Sequence, residues 1–203
     1  MTRTRRSRSI AAAALAAVAA CVAVLAGLAL SSRGMQARVA YEIYLDDPEM
    51  MTLAGIGGGA FWDVWSPRLT DASPARTRAL VRRKARLLRQ LEACEAPPDG
   101  TPERLSHDIV ASYLEGEARL APFAFHGYLV DSYEGEQKTL IRLLTEHHPL
   151  ATVGGAEAYV ARLRRFPAKV DSLLLGLEER SRLGIAAPAW SLARVAAELR
   201  SFL

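Results

Sequence analysis

Cysteine is scarce: Cys21 and Cys94 are the two in 203 residues. That is too few for a disulfide scaffold or a zinc site built on several thiolates. No acidic residue precedes Gly34, whereas Arg3, Arg5, Arg6, Arg8 and Arg33 all do. Setting those five aside leaves 21 basic against 22 acidic residues, so the body carries about −1 and the formal +4 belongs to the N-terminal segment. Nucleic-acid binding driven by overall charge is thereby excluded. H-E-x-x-H, the arrangement that sets two imidazoles one helical turn apart, does not occur, and neither does G-x-S-x-G. From Ala37 onward no sustained apolar–polar alternation exists, so no sheet is expected.

What the N-terminus does have is a basic start followed by 21 residues, from Ile10 to Leu30, without a charge. As a helix they reach about 31 Å at roughly 1.5 Å per residue, close to the ~30 Å hydrocarbon core. Secretory apolar cores are shorter, about 7–15 residues, so an uncleaved anchor competes with a cleaved signal. Eleven of the 21 are alanine, which weakens insertion and keeps both alternatives open. Gly27-Leu28-Ala29 offers small residues to a signal peptidase. Val18-Ala19-Ala20-Cys21 looks like a lipidation site, although Val22 to Leu30 stay apolar where a lipoprotein turns polar. Residues 1–34 are therefore expected to form a signal peptide or signal anchor. The membrane is the expected partner through Ile10 to Leu30, and positive charge stays inside, which puts the body outside the cytoplasm.

The body, residues 35–203, is long enough for one domain of about 100–200 residues. Its pattern predicts an all-α fold of six or seven amphipathic helices. A first helix is expected over 37–45, ending at Asp46-Asp47-Pro48. MMTLAGIGGGAFWDVWSP then reads as a loop packed by Phe61, Trp62 and Trp65. Ser73-Pro74 and Thr101-Pro102 are start signals, because the hydroxyl caps free N–H groups and proline suits the first helical position. The first of these helices carries Leu80, Val81, Leu87, Leu88 and Leu91 on one face. The second carries Leu105, Ile109, Tyr113 and Leu114. A helix over 136–146 presents Leu140, Leu143 and Leu144 and breaks at His147-His148-Pro149. Two more, over 156–166 and 168–182, offer Tyr159, Leu163, Val170, Leu174 and Leu177 as inward residues. Gly184 stops the second as a left-handed cap. The last helix begins near Pro188 and runs through Trp190, Val195 and Leu199.

The chemistry-bearing residues are sparse. Gly55-Ile56-Gly57-Gly58-Gly59-Ala60 fits G-x-G-x-x-A on paper, yet a helix precedes it and Trp62, Trp65 and Pro67 follow, so it reads as a packed turn. His107, His126, His147 and His148 are loop or helix-end residues; adjacent imidazoles point in different directions and do not make a ligand pair. Cys94, without a paired histidine, reads as a packing residue. Arg82, Arg83, Lys84, Arg86 and Arg89 form a basic face, solvated by default, with anionic headgroups as the other use.

Short motifs in the body carry a resemblance. The run A-x-x-Y-x-x-R-L (Ala156, Tyr159, Arg162, Leu163), the element G-I-x-x-P (Gly184, Ile185, Pro188) and Asp71 with Ser73 resemble, in order, the bacterial domain-of-unknown-function family 885, over about residues 38–203. The resemblance implies a mostly helical, exported, membrane-attached protein of zinc-metallopeptidase type whose H-E-x-x-H lies in a C-terminal half. That half is not in this sequence, so the chain is expected to be a truncated N-terminal portion, not catalytic by itself, with zinc only if the missing half is supplied. The family's H-x-Y-P-V-N-Q-x-x-G appears as His126 to Gly135 with Leu129, Asp131 and Ser132 replacing P, N and Q. His126, Tyr128 and Gly135 are therefore the groove candidates; no catalytic, cofactor or metal residue is expected. The other expectation is an anchored module that binds a peptide or protein partner.

Overall fold

The computed structural model describes residues 31–56 and 64–201. Among them lie eight α-helices and no strand: α1 Ser32–Ala40, α2 Pro48–Leu53, α3 Pro74–Glu92, α4 Pro102–Leu120, α5 Glu136–Arg142, α6 Val153–Leu163, α7 Phe166–Arg182 and α8 Ala189–Arg200. Wider π turns, Tyr41–Leu45 and Leu143–His147, extend α1 and α5. The all-α expectation holds. No helix among the described residues is long and apolar enough to cross a membrane. Residues 10–30, on which the signal or anchor expectation rests, lie outside the described residues, as do Cys21, Phe61 and Trp62.

Helix starts follow their caps. Ser73 Oγ accepts from the N–H of Arg76 and Thr101 Oγ1 from that of Arg104, each ahead of a proline at the helix start. The same logic makes α2, where the sequence pattern predicts a loop from Met50 onward. Asp47 Oδ1 accepts from the N–H groups of Glu49 and Met50, and Pro48 opens the helix. This short helix raises the count above the six or seven expected. The first helix also starts earlier, at Ser32, because Ser31 Oγ caps the N–H of Gly34.

Helices α3 and α4 pack as an antiparallel pair, and α1 lies across both. Met35, Val39 and Ile43 meet Leu87, Leu91 and Leu114 there. Each such side chain contributes roughly 1.5–3 kcal/mol when fully buried. The basic row of α3 is divided: Arg82 and Arg89 are exposed, and the other three are paired. Arg83 Nη1 donates to Asp46 Oδ2 at 2.5 Å and to the Glu42 carbonyl at 2.8 Å, Arg86 pairs with Glu42, and Lys84 Nζ meets Glu117 at 2.8 Å. Arg83 and Arg86 clamp the π turn after α1 onto α3, and Lys84 ties α3 to α4.

Two expected stripes are out of phase. Leu105 and Ile109 of α4 are exposed, and Leu114 is the residue of that stripe that is buried. On α7, Val170 and Leu174 face outward at 44% and 52% exposure, while Lys169, Leu173, Gly176 and Arg180 form the inward row. Both rows repeat at helical spacing, one residue apart, and the side carrying two long cations was the one buried. Leu163 of α6 is also exposed, and Arg162 beside it is fully buried.

Candidate functional site

Two polar hubs and one groove organise the chain, one hub and the groove on α7 and the other hub on α6. In the first hub, Lys169 is 3% exposed, and its Nζ lies 3.1 Å from Glu49 Oε1, 3.1 Å from Glu136 Oε2 and 3.0 Å from the Thr70 carbonyl. Thr70 N–H donates back to Glu49 Oε1 at 2.9 Å, and Thr70 Oγ1 donates to Asp47 Oδ1 at 2.6 Å. One ammonium thus ties the start of α2, the segment before α3, the start of α5 and the first turns of α7. Burial pushes the Glu49 carboxyl above its ordinary value, and the neighbouring Glu136 adds to this; Lys169 and Thr70 pull the other way without cancelling it. A cleft of about 200 Å³, lined by Asp71, Arg165, Lys169 and Ser172 among others, opens beside this hub. The ammonium itself is committed to the internal partners.

The second hub centres on Arg162, which has no exposed surface. Its Nε donates to the Arg68 carbonyl at 3.0 Å, and its Nη2 donates to Thr52 Oγ1 at 2.8 Å and to the Trp65 carbonyl at 3.1 Å. Nη1 sits 3.0 Å from Nδ1 of His148. Because a guanidinium only donates, Nδ1 is an acceptor. The His148 proton therefore sits on Nε2, which donates to the Gly155 carbonyl at 3.0 Å. Tyr159 packs edge-on against this ring, with centroids 5.2 Å apart. The A-x-x-Y-x-x-R-L residues Tyr159 and Arg162 thus act together as a locking element. Asp71 and Ser73 do so too: Asp71 Oδ1 and Oδ2 accept from the Ser73 N–H and hydroxyl while Ser73 caps α3.

The candidates read from the sequence are not gathered into one cleft. His126 is exposed, edge-on to Phe123. Gly135 is buried at the foot of a tight turn, where a Cβ would lie 2.4 Å from the Asp131 nitrogen. Tyr128 lines a groove of about 260 Å³ together with Val130, Leu177, Arg180, Ile185 and Leu192. Asp131 and Ser132, which stand where the family pattern has N and Q, serve the turn. Asp131 Oδ1 accepts from the N–H groups of Tyr133 and Glu134, and the Ser132 N–H donates to Ser191 Oγ. Gly184 takes φ +74°, the left-handed value expected of it, so that the Ile185 N–H reaches the Arg180 carbonyl at 2.8 Å. Pro188 then opens α8.

No three His, Cys, Asp or Glu side chains among the described residues come together as a metal centre requires. The histidines present do not fit zinc: both ring nitrogens of His148 are engaged, His126 and His147 are exposed and apart, and His107 Nδ1 lies 3.2 Å from Asp108. Cys94 is a free thiol packed against the α1–α3–α4 core, with Sγ donating to the Gln90 carbonyl. The sequence pattern marks Arg162 as a motif residue without showing that it is buried, and it does not single out Lys169 and Arg180. The signal was there, as cations recurring at helical spacing on one side of α7, but the apolar row beside them obeys the same period.

The geometry defines an all-helical domain in which the buried Lys169 and Arg162 are spent on internal locking. A family model described as "Bacterial protein of unknown function (DUF885)" matches residues 48–203, and the chain belongs to that family. No curated protein and no solved structure matches it.

Proposed function

We propose that this chain is the helical N-terminal portion of an exported, membrane-tethered protein of zinc-metallopeptidase type, and that it performs no hydrolysis by itself. The observation that carries this is the inverted face of α7. Lys169 and Arg180 are buried, Lys169 in internal ion pairs, while Val170 and Leu174, one turn apart, stand in solvent. A helix normally hides the apolar row, and an uncovered one supports completion by further protein. The basic N-terminus followed by residues 10–30 supports export. In the test, the full chain is purified, its zinc is measured and it is incubated with a peptide library. Neither stoichiometric zinc nor cleavage is expected, and either result overturns the proposal. A phosphatase fused to the C-terminus should be active only if the body leaves the cytoplasm.

A second reading, an anchored module that binds a ligand or partner, is favoured by the groove at Tyr128, which is apolar, open and adjacent to a buried cation.

A further inference from the structure

Arg180 differs from Lys169, the other buried cation of α7. It is 7% exposed, yet it is paired with no carboxylate among the described residues. Its Nε donates to the Gly127 carbonyl at 2.8 Å and its Nη1 to the Gly176 carbonyl at 3.1 Å, and its guanidinium lies 5.4 Å from the Phe125 ring centroid. The nearest acids in sequence are occupied: Glu179 pairs with Arg78 and Arg182, and Glu178 with Arg182. Burial depresses the Arg180 pKa and no anion opposes that shift. Nη2 makes no hydrogen bond within the described residues.

This cation lines the groove of about 260 Å³ whose other walls are Tyr128, Val130, Leu177, Ile185, Ala187 and Leu192. A buried charge without a counter-ion is costly, and a carboxylate arriving from outside would meet a planar donor with N–H groups to spare. The apolar walls would cover whatever the carboxylate is attached to. The space is smaller than the ~300–1,000 Å³ of drug-sized pockets, which limits the attached tail to a short one.

We propose that this groove binds a monocarboxylate with a short apolar tail, its carboxylate on Arg180 and its tail against Tyr128, Ile185 and Leu192. The inference rests on the second reading above, and it is independent of export and of catalytic silence. A free medium-chain fatty acid and the C-terminal residue of an apolar peptide share this chemistry.

The test titrates the full chain with octanoate carrying ¹³C at the carboxyl carbon, with octanol as the neutral analogue and acetyl-alanyl-leucine as the peptide arm. Expected are saturable octanoate binding with a shifted carboxyl resonance and octanol binding at least tenfold weaker. Binding should also fall at least tenfold in Arg180→Gln. Ala187→Trp, which fills the groove without removing the guanidinium, should abolish binding and keeps the question decidable if Arg180→Gln does not fold. Tighter binding of the peptide or of octanoate identifies the source, and either supports the proposal. Octanol binding as tightly as octanoate overturns the carboxylate while leaving a binding groove. No binding of any probe overturns both.

Discussion

Arg162 donates from Nη1 to Nδ1 of His148 across 3.0 Å, and the direction of that bond fixes the imidazole as the neutral Nε2–H tautomer. The pair joins α6 to the segment that follows α5, while the same guanidinium holds Thr52 of α2 and the carbonyls of Trp65 and Arg68. Replacing Arg162 by Met strands the buried Thr52 hydroxyl and His148 Nδ1, each costing about 1–3 kcal/mol, and frees two part-buried carbonyls, so a loss of about 3 kcal/mol is expected in chemical denaturation. His148→Leu should cost about 1–3 kcal/mol. His148→Gln, with an acceptor and a donor of its own, should cost less. Equal losses for the two His148 variants would mean that packing against Tyr159, not the hydrogen bonds, holds this hub.

Lys169 is the counter-ion for Glu49 and Glu136 together. Lys169→Met leaves both carboxylates without it and is expected to cost about 3–5 kcal/mol. Adding Glu49→Gln to that variant should recover part of the loss, which a double-mutant cycle reads as coupling. The pH dependence has a definite sign. The Glu49 carboxyl is raised above its ordinary 4.5 in the fold. The folded chain therefore holds that proton where the unfolded chain has released it, and this contribution to stability declines as pH rises from 4.5 through the raised value. Glu49→Gln should remove that decline. A decline of unchanged size in the variant would assign it to another group.

How much of this was legible in the sequence differs by feature. The caps at Ser73, Thr101 and Gly184 could be read because each depends on two or three adjacent residues, and local chemistry decides them. The phase of α7 could not. The row Val170, Leu174, Leu177 and the row Lys169, Leu173, Gly176, Arg180 both suit a helix, and the choice between them lies with Glu49 and Glu136, distant in the chain. The three groove candidates, adjacent in sequence, are separated by the fold. Tyr128 lines the groove, whereas His126 is exposed and Gly135 serves a turn. Periodicity reports that a helix has a buried side; long-range partners decide which one.

At Glu42, in the π turn that packs against α2, the pH sign reverses. Burial alone would raise the Glu42 carboxyl, but the hydrogen bond from Arg38 and the charges of Arg86, Arg38 and Arg83 outweigh it and hold the group below its ordinary 4.5. Its contribution to stability is present above 4.5 and is lost as pH falls through the depressed value. Glu42 is partly exposed, so solvent screening keeps the effect small, within the ~0–1 kcal/mol of surface pairs. Glu42→Gln should flatten the acid side of the stability profile and make the remaining profile less sensitive to salt. An acid limb of the same steepness in the variant would place the loss in Asp46, which burial raises but its bonds and charges with Arg83 and Arg76 hold low.

Two helical glycines make an internal comparison. A Cβ on Gly176 of α7 would lie 2.5 Å from Leu129 Cδ1 and 2.8 Å from the Ala72 carbonyl oxygen, whereas a Cβ on Gly116 of α4 would meet nothing within 4 Å. The Leu129 methyl can rotate away. The Ala72 carbonyl cannot readily do so, because it is backbone just before the capped start of α3 and its residue's N–H is held by Ser172 Oγ at 3.2 Å. Alanine gains up to about 1 kcal/mol over glycine in a helix, and overpacking costs about 1–3 kcal/mol. Gly116→Ala should therefore stabilise by about 0.5–1 kcal/mol, and Gly176→Ala should destabilise by an amount of similar size or larger. Thermal unfolding of the two variants side by side measures this. Because Leu129 also lines the groove beside Arg180, Gly176→Ala should weaken ligand binding there while Gly116→Ala leaves it unchanged. A stabilised Gly176→Ala would show that α7 can move off the start of α3, and the close approach would then not be what fixes the groove.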